Sequence, residues 1–129
     1  MTDTGARKKI LLADDEQDLV EMLAARLQAN GYEVLRAHDG EDAFRIAADA
    51  RPALIILDLL MPKGDGNAVA ERLRTDPATA RIPVIFLSGL AEILDVDKNE
   101  QAPGGRWILP KPFDAKKLLK LVEKALASR

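Results

Sequence analysis

Residues 53–58 read ALIILD, an apolar run that ends in an acid. Apolar and polar residues do not alternate in this run, so a strand formed from it must be covered on both faces. A strand of this kind is typical of the middle of a parallel sheet that has helices on either side. The carboxylate of Asp58 needs a separate explanation, because a charged group at the end of a buried strand is costly unless it is compensated.

Strand-like runs and amphipathic helical patterns alternate along the rest of the chain. The other strand-like runs lie at 10–13, 32–37, 82–89 and 107–109, and the helical patterns lie at 17–30, 39–50, 66–76 and 114–128. Segment 91–105 begins with helical periodicity and then turns polar, which predicts a short or mobile fourth helix there. Strands separated by helices predict an α/β domain with a five-stranded parallel sheet covered on both faces.

The composition narrows the possible functions. The chain has 129 residues with 21 acidic and 19 basic side chains, and its formal net charge of −2 provides no broad basic field for nucleic acid or anionic lipid. It has no cysteine and a single histidine, His38, so thiolate and multi-histidine metal sites are excluded. No apolar run approaches the ~20 residues that span a bilayer. We therefore expect a soluble cytoplasmic protein, with residues 1–7 flexible and residues 8–129 forming one domain.

Polar residues stand where the predicted strands end, which is the edge where open parallel sheets bind their ligands. They are Asp14 and Asp15, Asp58, Ser88 and Lys111. Taken alone, the Asp14–Asp15 pair fits a cap on the first helix, and the others fit ordinary loop positions. Taken together, three acids at one edge would repel one another unless a cation balanced them. Hard oxygen ligands of this kind suit magnesium.

This set of residues also suits phosphoryl chemistry. A carboxylate such as Asp58 can act as a nucleophile toward phosphorus and form an acyl phosphate. Such transfer mainly requires positioning and charge stabilisation, which magnesium and the Lys111 ammonium could supply, with a hydrogen bond from Ser88.

Four segments, LLADDE, IILDLLMPKGDG, IPVIFLSG and PKPF, resemble the signature segments of the receiver domain of bacterial two-component response regulators. The resemblance extends from about Lys8 to Ala127. It implies a flavodoxin-like (βα)5 three-layer sandwich with strand order 2-1-3-4-5. It also implies magnesium-dependent acceptance of a phosphoryl group from a histidine kinase or a histidine phosphotransfer protein.

The resemblance assigns a role to each matching residue. Asp58 matches the phosphoacceptor, Ser88 the hydroxyl residue that moves toward the phosphoryl group, and Lys111 the lysine that pairs with it. Asp14 and Asp15 match the acidic pair that holds magnesium, with Asp15 expected to be the direct ligand of the two. The backbone carbonyl of Leu60 matches the third ligand that the protein supplies, beside Asp58.

Two positions depart from the family pattern. Receivers often carry Tyr or Phe three residues before the active-site lysine, where this chain has Ile108. The neighbouring Trp107 should point to the opposite face of its strand, so we expect it to be a packing or surface residue. Leu60 and Leu90 occupy positions that help to orient or exclude water in the family. Because both are apolar, we expect slow self-dephosphorylation.

The resulting hypothesis is a single-domain regulator, not an enzyme in its own right, which changes its protein-binding surface when Asp58 is phosphorylated. Its target would bind the face formed by the fourth helix, the fifth strand and the last helix, with no direct nucleic acid or membrane partner. The basic cluster Lys116, Lys117 and Lys120 on the last helix fits either a solvated face or part of this surface. The start and end of the chain favour a stand-alone protein slightly over a receiver excised from a larger one.

Two other classes compete with this hypothesis. One is a pseudo-receiver that is never phosphorylated and acts as a constitutive interaction module. The other is an enzyme or cofactor-binding protein on the same fold. A flavodoxin would need a phosphate loop where this chain has three acids, and an aspartyl phosphatase would need an acid where it has Leu60.

Overall fold

The computed structural model describes residues 7–58, 66–88, 106–110 and 114–127. The strands are β1 (Lys9–Ala13), β2 (Glu33–Ala37), β3 (Leu54–Asp58), β4 (Val84–Ser88) and β5 (Arg106–Pro110). The helices are α1 (Gln17–Ala29), α2 (Gly40–Ala50), α3 (Gly66–Thr75) and α4 (Ala115–Ala127). Each lies within a residue or two of its predicted position. The short helix predicted in 91–105 falls outside the described residues.

The five strands form one parallel sheet in the order β2-β1-β3-β4-β5. This order confirms the predicted flavodoxin-like arrangement. All five side chains of β3 are buried, as expected for the central strand. Pairing of β1 with β3 runs from Ile10 opposite Leu54 to Ala13 opposite Leu57, so the carboxyl ends of the two strands are level.

Alternate residues of the strands supply two apolar layers, one on each face of the sheet. The first layer packs against α1 and α4, and its strand residues are Ile10, Leu12, Val34, Leu54, Ile56, Ile85, Leu87, Trp107 and Leu109. The second packs against α2 and α3, and its strand residues are Leu11, Ala13, Ala37, Ile55, Leu57, Val84, Phe86 and Ile108. The predicted three-layer sandwich is therefore confirmed. Among the described residues, no helix is both long enough and apolar enough to cross a bilayer.

Several helix ends follow directly from the local sequence. The helix α1 ends at Ala29 with Asn30 as its C-cap, and Gly31 then adopts a φ of 91°, a conformation that glycine tolerates without strain. At the start of α2 the Asp39 carboxylate accepts a hydrogen bond of 2.8 Å from the Asp42 backbone N–H. Asp114 accepts an equivalent bond of 2.8 Å from the Lys117 backbone N–H at the start of α4. These carboxylates satisfy N–H groups that have no partner within their own helices.

The two neighbouring residues of β5 face opposite layers of the core. Trp107 is 2% exposed in the layer beneath α1 and α4, and Ile108 is 8% exposed in the layer beneath α2 and α3. The predicted alternation is confirmed, and Trp107 is a packing residue rather than a surface one. The Lys124 ammonium on α4 lies 5.4 Å from the centroid of its ring. Within the described structure, the indole N–H of Trp107 has no hydrogen-bond partner.

Candidate metal-binding site

The parallel register brings the acids of β1 and β3 to the same edge of the sheet. Ala13 and Leu57 are the last residues paired between the two strands, and each is followed directly by an acid, Asp14 and Asp58. Both acids therefore stand at the carboxyl ends of adjacent central strands, and the loop after β1 adds Asp15 beside them. This is the edge at which the sequence predicts a ligand site.

The three carboxylates converge on one point. One oxygen from each of Asp14, Asp15 and Asp58 lies within 4.8 Å of the other two. Asp14 is fully buried, Asp58 is 4% exposed and Asp15 is exposed. The cluster is thus closed from the side of the core and open toward solvent at Asp15. Three hard oxygen donors in this arrangement could bind a divalent cation, directly or through water, and they fit the preferences of magnesium.

Asp14 has a second contact that its position in the sequence explains. Its Oδ1 accepts a hydrogen bond of 3.0 Å from the backbone N–H of Glu16, two residues further along. An Asp side chain in a turn commonly accepts a hydrogen bond from the backbone N–H two residues further along, so this contact could have been predicted from the sequence. The alternative reading of Asp14 and Asp15 as helix caps is not what the structure shows, because Glu16 occupies the N-cap position of α1 without a side-chain cap bond.

The remaining predicted site residues belong to the same edge by their place in the chain. Ser88 is the last residue of β4, directly after Leu87, which pairs with Asp58. Ser88 itself pairs with Pro110, the last residue of β5, and Lys111 comes next in the sequence. Lys111 and Leu60 lie outside the described residues, as does the Ser88 side chain. Their roles therefore remain predictions, as do the roles of Asp14, Asp15 and Asp58 in phosphoryl transfer.

A five-stranded parallel sheet with an acidic cluster at its carboxyl edge defines a narrow class of α/β proteins. The response regulator receiver domain family matches residues 10–123, and the chain belongs to this family.

The relatives include full-length regulators. The DNA-binding dual master transcriptional regulator RpaA of Synechocystis sp. is 38% identical over 118 residues, which are 92% of this chain and 48% of RpaA. The chain thus spans about half the length of the curated relatives it matches.

Solved structures of receivers agree with the fold over their whole length. The chemotaxis response regulator CheY4 of Vibrio cholerae has a TM-score of 0.80 and 31% identity, covering 93% of this chain and 99% of CheY4. The receiver domain of the sensor histidine kinase PA1611 from Pseudomonas aeruginosa has a TM-score of 0.81 and 29% identity. That comparison covers 95% of this chain and 99% of the PA1611 domain, whose structure has a magnesium ion coordinated in the active-site cleft.

Proposed function

We propose that Asp58 accepts a phosphoryl group from the phosphohistidine of a kinase or phosphotransfer protein, in a magnesium-dependent reaction, and that the chain acts as a phosphorylation-controlled switch. The observation that carries this proposal is the convergence of Asp14, Asp15 and Asp58 within 4.8 Å at the carboxyl edge of the sheet. The magnesium ion in the related PA1611 receiver domain supports the choice of metal.

Each acid has a separate task in this proposal. A carboxylate oxygen of Asp58 attacks phosphorus as the bond from phosphorus to the histidine nitrogen breaks, and that nitrogen takes up a proton from solvent, so that neutral imidazole leaves. Asp14, Asp15, Asp58 and the backbone carbonyl of Leu60 would hold the metal, which would neutralise charge on the phosphoryl oxygens. Lys111 neutralises a further oxygen, and Ser88 donates a hydrogen bond to another. The chain promotes transfer to itself and is not an enzyme acting on a separate substrate.

The acyl phosphate would have a long lifetime because the site does little to activate water for its hydrolysis. Leu60 and Leu90 offer no polar group that could orient an attacking water molecule toward the acyl phosphate. We therefore propose slow self-dephosphorylation. Phosphorylation adds about −2 charge at Asp58, which draws Ser88 and its loop inward and changes the protein-binding face that includes β5 and α4.

The partners in this proposal are proteins of the cytoplasm. The phosphodonor is a histidine kinase or a histidine phosphotransfer protein, and the target is a protein that binds the face around β5 and α4, without direct contact to nucleic acid or membrane. RpaA is a DNA-binding regulator, but this chain covers 48% of its length, and DNA binding is not part of the proposed function.

The experiment is incubation with magnesium and acetyl phosphate, followed by intact mass measurement. We expect the parent to gain one phosphoryl group, and we expect no gain for Asp58→Asn or when a chelator removes magnesium. Asp49→Asn is the matched control, because Asp49 is an exposed acid on α2 away from the cluster, and this variant should be phosphorylated like the parent. Following the mass after the donor is removed gives the rate of dephosphorylation.

Two results would contradict the proposal. Equal phosphorylation of the Asp58→Asn variant would place the modification elsewhere. No gain of mass from acetyl phosphate or from a panel of phosphorylated histidine kinases, with magnesium binding intact, would favour the constitutive interaction module.

A further inference from the structure

Three lysines lie along the exposed side of α4. Lys117, Lys120 and Lys124 are three and four residues apart, so their side chains share one side of the helix, and all three are exposed. Together with Leu121, they line a groove of about 300 Å³, which we call the lysine groove. Leu121, which is 3% exposed, is the apolar side chain among the described residues that line the groove, and we call it the apolar floor.

The charge of α4 contrasts with that of the whole protein. The helix carries four lysines, which also include Lys116, and a single acid, Glu123. The complete chain has a formal net charge of −2. The formal charge of α4 is therefore +3 and that of the rest of the chain is −5, which makes the lysine groove a local site of attraction for an anionic group.

The groove also contacts the strand that leads to the proposed phosphoryl site. The Lys124 ammonium lies 5.4 Å from the ring centroid of the buried Trp107, within the range of a cation–π interaction. Trp107 belongs to β5, and Lys111 follows that strand in the sequence. A movement of β5 would therefore alter the position of Lys124, one of the three cations that line the groove in the described part of the chain.

We propose that the lysine groove binds an acidic segment of a partner protein, with carboxylates opposite Lys117, Lys120 and Lys124 and an apolar side chain over Leu121. This inference rests on the proposed function only for the regulation of binding. It names the chemical class of the protein segment that the phosphorylation-controlled chain would bind. The three lysines span about 10 Å of helix axis, which matches a short peptide segment. The negative net charge of the chain disfavours a long polyanion such as duplex DNA, and the apolar floor suits a peptide side chain rather than a phosphate backbone.

The test measures binding of a synthetic labelled peptide by fluorescence anisotropy. Its three glutamates are three and four residues apart, as the three lysines are, and one leucine lies between them. A second peptide has glutamine in place of each glutamate. We expect the glutamate peptide to bind the unphosphorylated full chain and the glutamine peptide to bind at least five-fold more weakly. Binding should weaken as salt is raised, because the pairs are exposed.

Matched variants locate the binding site. Lys117→Gln with Lys120→Gln removes two charges from the groove, and Arg26→Gln with Arg81→Gln removes two exposed charges elsewhere. We expect about a five-fold loss of affinity for the first pair, from two exposed ion pairs, and less than a two-fold loss for the second. Emission from Trp107, the sole tryptophan of the chain, should change on binding in the parent and in the Arg pair.

Three outcomes would overturn the inference. They are no binding of the glutamate peptide with or without acetyl phosphate, equal loss of affinity in both variant pairs, and displacement of the peptide by a short DNA duplex that binds more tightly. The proposed function fails separately, through the mass measurement. Peptide binding by the unphosphorylated chain and by Asp58→Asn does not depend on that result.

Discussion

Asp14 and Asp58 are carboxylates buried next to each other, a combination that proteins retain only with compensation. Removing a charged group from water costs several kcal/mol, and the hydrogen bond from the Glu16 backbone N–H to Asp14 returns about 1.5–3 kcal/mol. A divalent cation between the two residues and Asp15 would offset their mutual repulsion as well. The burial of these two acids beside Asp15 therefore fits the proposed metal binding.

Tyr32 gives a pH-dependent prediction at the scale of one residue. Burial raises the pKa of its phenol above the ordinary 10.0, and the nearby Glu123 carboxylate raises it further. Because the folded state holds the proton more tightly than the unfolded state, this contribution to stability is complete below pH 10. It is lost as the pH rises through the raised pKa of the folded protein. We expect the free energy of unfolding to decline in that range, and Tyr32→Phe to remove this part of the decline.

The titration can be followed directly, since Tyr32 is the sole tyrosine in the chain. Phenolate absorbance should show a midpoint above 10, and Glu123→Gln should move it partly back. The shift is only partial because burial is the larger cause. Glu41→Gln, an exposed acid on α2, is the control and should leave the midpoint unchanged. A midpoint at or below 10 in the parent would contradict the assignment.

At the scale of elements, the helices depend on specific residues at their ends as well as on their apolar faces. The Asp39 carboxylate caps α2 through the Asp42 N–H, while Phe44 and Ile46 of α2 pack, partly buried, against the core.

We therefore expect Asp39→Ala to lower the free energy of unfolding by about 1 kcal/mol, within the range measured for N-caps. Urea denaturation followed by circular dichroism measures this change. Asp39→Ser keeps an oxygen acceptor and should recover most of the loss. If Ser and Ala destabilised the protein equally, the cap hydrogen bond would not be the cause.

Sequence patterns predicted the elements well where local chemistry determines them. Strand-like runs predicted the five strands, and the first helical pattern ended at Asn30, the C-cap of α1. Strand alternation correctly placed Trp107 and Ile108 on opposite faces. The contact of Lys124 with Trp107 and that of Arg72 with Phe44, 4.0 Å from the ring centroid, could not be predicted. Both join residues distant in sequence, and they depend on how each helix is rotated against its neighbours.

For the candidate site, the sequence predicted the three acids and the edge at which they meet, because parallel strands align their carboxyl ends. The difference in burial between Asp14 and the exposed Asp15 depends on the course of the loop after β1. That course is set partly by the hydrogen bond from Glu16.

At the scale of the whole molecule, metal binding should raise the free energy of unfolding. A ligand that binds only the folded state raises the free energy of unfolding by about 2.7 kcal/mol at 100 times its Kd. We expect magnesium to raise the Tm of the parent and to raise that of Asp15→Asn much less. Without magnesium, Asp15→Asn should be at least as stable as the parent, because one of three repelling charges is removed.

Thermal unfolding with and without magnesium tests this prediction, and Asp49→Asn provides a control with the same change of charge. The control should respond to magnesium like the parent. An equal magnesium effect in all three proteins would show that the ion acts by general screening and not at the acidic cluster.

The level ends of β1 and β3 have a consequence for folding kinetics. These strands are adjacent in the sheet, but α1, β2 and α2 separate them in the chain, so their pairing is a non-local event that closes a long loop. Asp14 and Asp58 meet only after that pairing, which means that early, locally structured species have no metal site. A bound ion should therefore prolong the lifetime of the native state by slowing unfolding, and should do little to hasten the search that forms it.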